Sequence, residues 1–392
     1  MNYNTYKITD LIDEIAMGPF GSNIKVECFV DEGVPVLNGS NLDGFALSEK
    51  EFRYVTTEKA DSLKKANASR GDIVITHRGT LGQIVYIPQD SKYDRYVISQ
   101  SQFRVRCNKK ILPEYMVYYF HTNVGQYKLM SNASQVGVPA LARPSSTFQQ
   151  IEIEVPSIQV QQRVVSIINA LQSKIDCNTK INDNLQQQAM ALYASMFLDN
   201  PALETTAGTL KDIADITMGQ SPSGSSYNED GNGEVFYQGR AEFGYRFPTR
   251  RLYTTEPKRM AEAGDVLLSV RAPVGDLNVA YERCCIGRGL GAIHGRNGYQ
   301  SFVLYTMYAL RPQLDVYNGE GTVFGSINRN ALNDMPIDIP TEDAIAAFEA
   351  VVRPMDNMIR SNYEENCRLQ DLRDSLLPRL MSGEVDVSNI EI

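Results

Sequence analysis

Ile175-Asp-Cys-Asn-Thr-Lys-Ile-Asn182 and Ile359-Arg-Ser-Asn-Tyr-Glu-Glu-Asn366 carry an apolar residue and two asparagines at the same spacing, 184 positions apart. Around the first stretch, Val164, Leu171, Asn178, Leu185 and Leu192 recur every seven residues, as do Ile168, Ile175, Asn182, Ala189 and Met196. Around the second, the seams hold Ile345, Val352, Ile359, Asn366, Arg373 and Leu380, and Phe348, Met355, Asn362, Leu369 and Leu376. A seven-residue period sustained this long predicts coiled-coil helices over 157–198 and 341–382 rather than ordinary amphipathic helices. If the two pair antiparallel, opposed residue numbers add to a value near 544. Asn178 then faces Asn366, Asn182 faces Asn362, Leu185 faces Ile359, Ile175 faces Leu369 and Met196 faces Phe348. Asparagines in an apolar seam fix register at a cost in stability. The alternative is four side chains turned to solvent beside a looser seam. Pro354 removes a helical hydrogen bond and predicts a bend there, or a helix that begins just after it. Pro378 marks fraying ahead of Gly383.

The repetition extends outward. Ile12, Ile15, Met17 and Gly18 return as Ile213, Ile216, Met218 and Gly219, 201 positions later. Gly71-Asp72, Arg78 and Gly82 return as Gly264-Asp265, Arg271 and Gly275, 193 later, and Val155-Pro156 returns as Ile339-Pro340, 184 later. Order is kept while loop lengths differ, as expected of a duplicated unit of roughly 190 residues. The fold expected is α+β: two similar α/β domains, related by a pseudo-twofold and joined by two long antiparallel coiled-coil helices. The division is 1–156 (first globular domain), 157–198 (helix), 199–208 (linker, around Asn200-Pro201), 209–340 (second globular domain), 341–382 (helix) and 383–392 (tail). Strands are expected at Asp72–Thr76, Ile151–Val155, Asp265–Ser269 and Pro336–Ile339, and helices at Tyr115–Phe120 and Phe302–Leu310. Forty-odd helical residues rise about 60 Å, or roughly 18 base-pair steps, which bounds the distance between two half-sites that such a ruler spans.

Composition narrows the class. At 392 residues, with 43% hydrophobic and 22% charged, the chain is an ordinary globular protein of two or three domains. No apolar run reaches membrane-spanning length and no leader pattern opens the chain, so no membrane contact and a cytoplasmic location are expected. Six cysteines without a CxxC pair are read as reduced thiols, and three scattered histidines do not suggest zinc. The net charge of −9 is uneven: zero over 1–156, −1 over 157–206, −2 over 207–340 and −6 over 341–392. Either globular domain is thus free to expose a basic face.

The candidate contacts lie on loops. Val235 to Arg251 interleaves Gln238, Arg240, Phe243, Tyr245, Arg246 and Arg250: Arg forks guanine or phosphate, Gln reads adenine, and aromatics stack. The bland reading is an exposed loop after a strand. Its counterpart, with Asn38, Ser40 and Asn41, is polar instead, as two different half-sites require. Thr76-His77-Arg78-Gly-Thr80 matches Ser269-Val-Arg271-Ala-Pro, where each Arg either grips DNA or ties down its own turn. Gln100 and Gln102 match the region of Gly287-Arg288-Gly, read chiefly as a tight turn. No methyltransferase, serine-hydrolase, nuclease or nucleotide-binding motif is present, so chemistry is expected elsewhere.

Tyr237-Gln-Gly-Arg-Ala-Glu-Phe-Gly244, Arg271-Ala-Pro-Val-Gly275 and Leu372-Arg-Asp-Ser-Leu-Leu-Pro-Arg-Leu-Met-Ser-Gly-Glu384 resemble the specificity subunit of type I restriction–modification systems, over nearly the whole chain. The resemblance implies a non-catalytic subunit whose two target recognition domains each read half of a split double-stranded DNA sequence. It implies helices that set the gap and dock two methyltransferase subunits, with endonuclease/translocase subunits joining through them. S-adenosylmethionine, Mg2+ and ATP then belong to those partners, with no cofactor, metal or catalytic residue in this chain. An assembly scaffold or decoy that binds methyltransferase without reading DNA is the alternative. A self-sufficient nuclease or methyltransferase is the third reading, which the missing motifs disfavour. Acidic balance and Pro354 depart from the family pattern.

Overall fold

The computed structural model describes residues 3–19, 21–134, 137–319, 325–388 and 390. The chain forms two compact units, Met1–Asp176 with Asn366–Ile392, and Cys177–Glu365. In the first, strands Ile12–Met17 (β1), Asp72–Thr76 (β2), Ile84–Tyr86 (β3) and Gln102–Cys107 (β4) form a sheet ordered β1-β4-β2-β3, antiparallel throughout. A second sheet runs Phe29–Val30, Arg53–Val55, Val34–Val36, Arg95–Val97, Asn67–Ser69, parallel only between Val34–Val36 and Arg95–Val97. Helix Pro113–His121 (α1) follows β4 and buries every residue from Tyr115 to Phe120, consistent with its all-round apolar sequence.

The second unit repeats this plan internally. Strands Ala214–Met218 (β5), Val266–Ser269 (β6), Leu277–Val279 (β7) and Leu290–Gly295 (β8) are ordered β5-β8-β6-β7. Its second sheet again has one parallel neighbour pair, Glu234–Tyr237 with Cys284–Ile286. Helix Gln300–Ala309 (α3) takes the place of α1. The expected strands and helices form within two residues of their predicted bounds. One boundary is corrected: Thr205–Thr209 is a strand paired with Pro336–Pro340, so the connection after the helix is shorter than 199–208. Tyr3–Lys7 and Glu152–Pro156 form the matching pair in the first unit.

The repeated Gly-Asp motif has a structural cause. Gly71 and Gly264 take φ of 83° and 94°, a region that favours glycine. Asp72 then accepts the Ser69 amide at 2.9 Å, and Asp265 the Glu262 amide at 2.8 Å, closing the turn before each central strand. Across the sheet Asp72 is gripped by Arg106 at 2.8 and 3.0 Å, and Asp265 by His294 at 2.6 Å.

The long helices are Ile158–Tyr193 (α2), extended by a π-type turn over Ala194–Leu198, and Glu342–Met381 (α4). α2 contains no glycine or proline. α4 carries Glu342 and Asp343 in its first turn and Arg379 in its last, complementing the helix dipole. α4 runs unbroken through Pro354, so the expected late start is corrected. Pro354 and Ala350 are both exposed, so the carbonyl that loses its donor faces water. α4 likewise continues past Pro378 to Met381, and Gly383, at φ 76°, lies just beyond its end.

Within each unit the helices pair antiparallel. In the second, Asn182 donates to the Ile359 carbonyl at 3.2 Å and accepts from Asn362 at 2.8 Å, and Asn178 donates to Glu365 at 2.7 Å. In the first, Asn366 donates to the Ile175 carbonyl at 3.3 Å, and Arg373 to Gln172 at 2.7 Å. Asn178, Asn182 and Asn362 are buried, which removes the solvent-facing alternative for them. Ala189, Tyr193, Ile345, Phe348, Val352 and Ile359 enter the second unit's core, with Phe348 against the rings of Tyr193 and Phe197 at 5.6 and 5.4 Å. Val160, Val164, Ile168, Leu377 and Leu380 enter the first unit's core.

Candidate nucleic-acid interface

In each unit, four loop ends are tied together at one rim by main-chain hydrogen bonds. In the second unit, the Gly287 amide donates to Tyr237 at 2.8 Å, Gly289 to Gln238 at 3.1 Å, Val270 to Gly289 at 2.9 Å and Gly219 to Leu290 at 2.9 Å. This joins the loops that carry Gln238 and Arg240, Arg271, and Arg288. In the first unit, Leu37 donates to Val97 at 2.8 Å, His77 to Ser101 at 2.8 Å and Gly18 to Gln102 at 2.8 Å. This joins the loops of Asn38, His77 with Arg78, and Gln100. Glycine is required at the crossing. A Cβ at Gly18 would sit 1.9 Å from the Ser99 carbonyl oxygen, and one at Gly219 2.1 Å from that of Gly287. Gly287 and Gly289 are equally confined, with the Gln238 backbone 2.9 and 2.7 Å from their ideal Cβ positions. The glycine cluster is therefore a close-packing turn, and it presents Arg288 beside Gln238.

The exposed members of this set are Ser40, Arg78, Thr80 and Gln100 in the first unit, with Asn38 and His77 half-buried. In the second they are Gln238, Arg240, Arg271 and Arg288, with Phe243 half-buried. Among the described residues no carboxylate lies within ion-pair distance of Arg78, Arg271 or Arg288. Arg240 and Arg311 share Asp276, two cations on one carboxylate. The first unit also has a groove of about 810 Å³ between His77, Arg78 and Gln100 on one side and Lys64 and Lys65 on the other. Those two lysines escaped the sequence reading, because only the fold brings the 62–66 segment beside the rim. His77 Nε2 donates to the Gln100 carbonyl at 3.1 Å, and burial pulls its pKa below the usual histidine value.

Five expected contacts are corrected. Asn41 is fully buried and donates to the carbonyls of Ser48 and Lys50 at 3.0 and 2.7 Å, so it builds the loop's base. Gln102 is buried, accepting from Ser99 at 2.9 Å and donating to the Asn38 carbonyl at 3.2 Å. Arg246 is buried against Asp356 and Gln186, with its guanidinium 5.8 Å from the Tyr305 ring. Arg250 pairs with Glu282, which follows β7 at the end of the hairpin away from Arg271. Tyr245, although its ring is half-exposed, has its hydroxyl pKa raised by burial and then by hydrogen bonding to Asp183 of α2, which places it by the helix. Among the described residues no three metal-ligating side chains converge, and no helix is long and apolar enough to cross a membrane.

A duplicated scaffold that presents polar and cationic loop ends at equivalent rims has the form of a paired binding protein. The family model described as the type I restriction modification DNA specificity domain matches residues 2–187. A Methanocaldococcus jannaschii protein assigned as the type I restriction enzyme MjaX specificity subunit is 24% identical over 91% of this chain and 88% of its own. The HindI specificity subunit of Haemophilus influenzae is 23% identical over 82% of this chain and 88% of its own. The S subunit of a type I restriction-modification system from M. genitalium, a solved structure, shares the fold at a TM-score of 0.57, with 15% identity over 97% of this chain and 96% of that one. Over most of its length the chain thus resembles the type I restriction–modification specificity subunits.

Proposed function

We propose that this chain reads a bipartite double-stranded DNA target, one half with each unit, and docks methyltransferase subunits, and through them endonuclease/translocase subunits, on its helices. The observation that carries the reading is the duplicated rim. Equivalent loops meet at both rims, the His77–Ser101 and Gly18–Gln102 main-chain bonds being matched by Val270–Gly289 and Gly219–Leu290, yet one rim is mainly polar (Asn38, Ser40, His77, Arg78, Thr80, Gln100) and the other basic (Gln238, Arg240, Arg271, Arg288). Cations without carboxylate partners suit phosphate or guanine edges, and side-chain amides suit adenine edges. The long helices suit a protein partner. Ile181, Met190, Val351, Met358 and Leu372 are 40–52% exposed, and residues 341–392 carry a net charge of −6, unfavourable toward phosphate. S-adenosylmethionine, Mg2+ and ATP are assigned to those partners. The 36 residues of α2 rise about 54 Å, a length that sets the unspecified gap between half-sites.

The test is DNA binding by the purified chain with and without its methyltransferase partners, on duplexes taken from the modified sites of the host. The reading expects weak binding alone, strong selective binding in the complex, and loss of selectivity when Gln238, Arg271 and Arg288 are replaced together by alanine. A scaffold that only assembles methyltransferase would show no change on that replacement.

A further inference from the structure

Residues 45 and 246 occupy the same place in the two units. The Tyr86 amide donates to the Phe45 carbonyl at 3.0 Å, and the Val279 amide donates to the Arg246 carbonyl at 2.9 Å. Tyr86 and Val279 themselves lie 193 positions apart, on the matching strands β3 and β7. Each of the two residues points at the same helix and at one long helix. Phe45 lies edge-on to Tyr118 and His121 of α1, at 4.9 and 4.7 Å, and the guanidinium of Arg373 from α4 sits 5.1 Å from its ring. Arg246 lies over Tyr305 of α3 and pairs with Asp356 of α4, with Gln186 of α2 at 3.3 Å.

The same junction is thus made with opposite chemistry. In the first unit the loop supplies the ring and the helix supplies the cation. In the second the loop supplies the cation, and the helices supply the carboxylate and the ring. A contact rebuilt from different residues at one backbone position is a requirement of the architecture rather than of one sequence. The junction also lies close to the rim: seven residues separate Asn38 from Phe45, and eight separate Gln238 from Arg246. Between them the loop base is pinned a second time, by Asn41 in the first unit and by Glu242, paired with Arg251 at 2.6 Å, in the second.

We infer that Arg246 with Asp356, and Phe45 with Arg373, are positioning latches that fix each rim loop to a long helix, so that selectivity for bases in a half-site depends on a contact remote from the DNA. This rests on the DNA-reading function proposed above. A base-edge contact demands its donor within a few tenths of an ångström, so a loop released at its far end loses discrimination before it loses phosphate affinity.

The experiment uses the full chain assembled with its methyltransferase partners. Arg246→Met, Asp356→Asn and Arg246→Lys are compared on duplexes carrying single-base changes in either half-site. Hydrogen exchange of the 238–247 amides is followed without DNA. The latch predicts faster exchange in Arg246→Met and Asp356→Asn, with partial rescue by Arg246→Lys. It predicts about tenfold less discrimination in one half-site only, the scale of a weakened bidentate contact, and a double variant no worse than either single one. Phe45→Ala should affect the other half-site alone. Unchanged exchange overturns the latch whatever the DNA result. Faster exchange with discrimination intact overturns its role in selectivity. A wild-type complex that does not discriminate refutes the DNA-reading function instead, and leaves the exchange result to stand for or against the latch.

Discussion

Single side chains divide into those that hold the rim and those that present it. Arg271 and Arg288 are exposed and free of carboxylates among the described residues, so their alanine variants should weaken binding on all duplexes alike. Each should lower the slope of log affinity against log salt by about 1, read from binding titrations at several ionic strengths. Gln238→Ala should instead relax preference at one position, at about 1–3 kcal/mol for the favoured base. Gly219→Ala, whose Cβ meets a main-chain oxygen, should destabilise the chain by about 1–3 kcal/mol in thermal unfolding. Burial lowers the pKa of His121, whose ring bonds the Ile84 carbonyl at 2.9 Å, and of His77. The unfolded chain takes up these protons near the ordinary histidine value of 6.5 while the folded chain resists, so stability is present above that pH and declines as pH falls below it. His121→Gln should flatten that decline in denaturation curves recorded between about pH 7 and pH 5. Arg78 and Arg271 were legible in the sequence because each follows a strand that itself repeats. The burial of Asn41, Gln102 and Arg246 was not: Asn41 is enclosed as its own loop closes on Ser48 and Lys50, Gln102 and Arg246 meet segments distant in the sequence, and composition alone makes the three look like surface residues.

The helices were the most legible elements. Their period of seven, the paired asparagines and the absence of glycine from α2 all act locally, so the reading needed no tertiary knowledge. Pro354 misled because its cost depends on which side of the helix it occupies, and the exposed side leaves its orphaned carbonyl to water. The strand Thr205–Thr209 was invisible for the converse reason: small and polar, it is a strand only because Pro336–Pro340 pairs with it. Within the seam, Asn362→Leu alone leaves buried Asn182 without the donor to its side-chain oxygen and should cost about 1–3 kcal/mol in chemical denaturation. Adding Asn182→Leu should recover much of that loss, since two apolar partners fill the layer that two amides filled. If the pair fixes register, the double variant will be as stable as the parent or more so, yet will modify DNA with a blurred spacer length.

At the scale of the whole chain, one plan is used twice: the same strand order, the same glycine crossing and the same Gly-Asp turn, with different residues on the two rims. Duplication was readable from offsets that shrink from 201 to 184 along the chain; which residues reach the rim was not, because the loops between repeated anchors differ most. The central claim is that the two rims read separate halves of one target. Methylome sequencing of a host carrying either the parent gene or the Gln238→Ala, Arg271→Ala, Arg288→Ala variant tests it most directly. The account predicts a split motif with methylated adenine in the parent, and in the variant a motif whose one half is relaxed while the other half and the gap are retained. A contiguous motif in the parent, or a variant that alters both halves equally or neither, would contradict it.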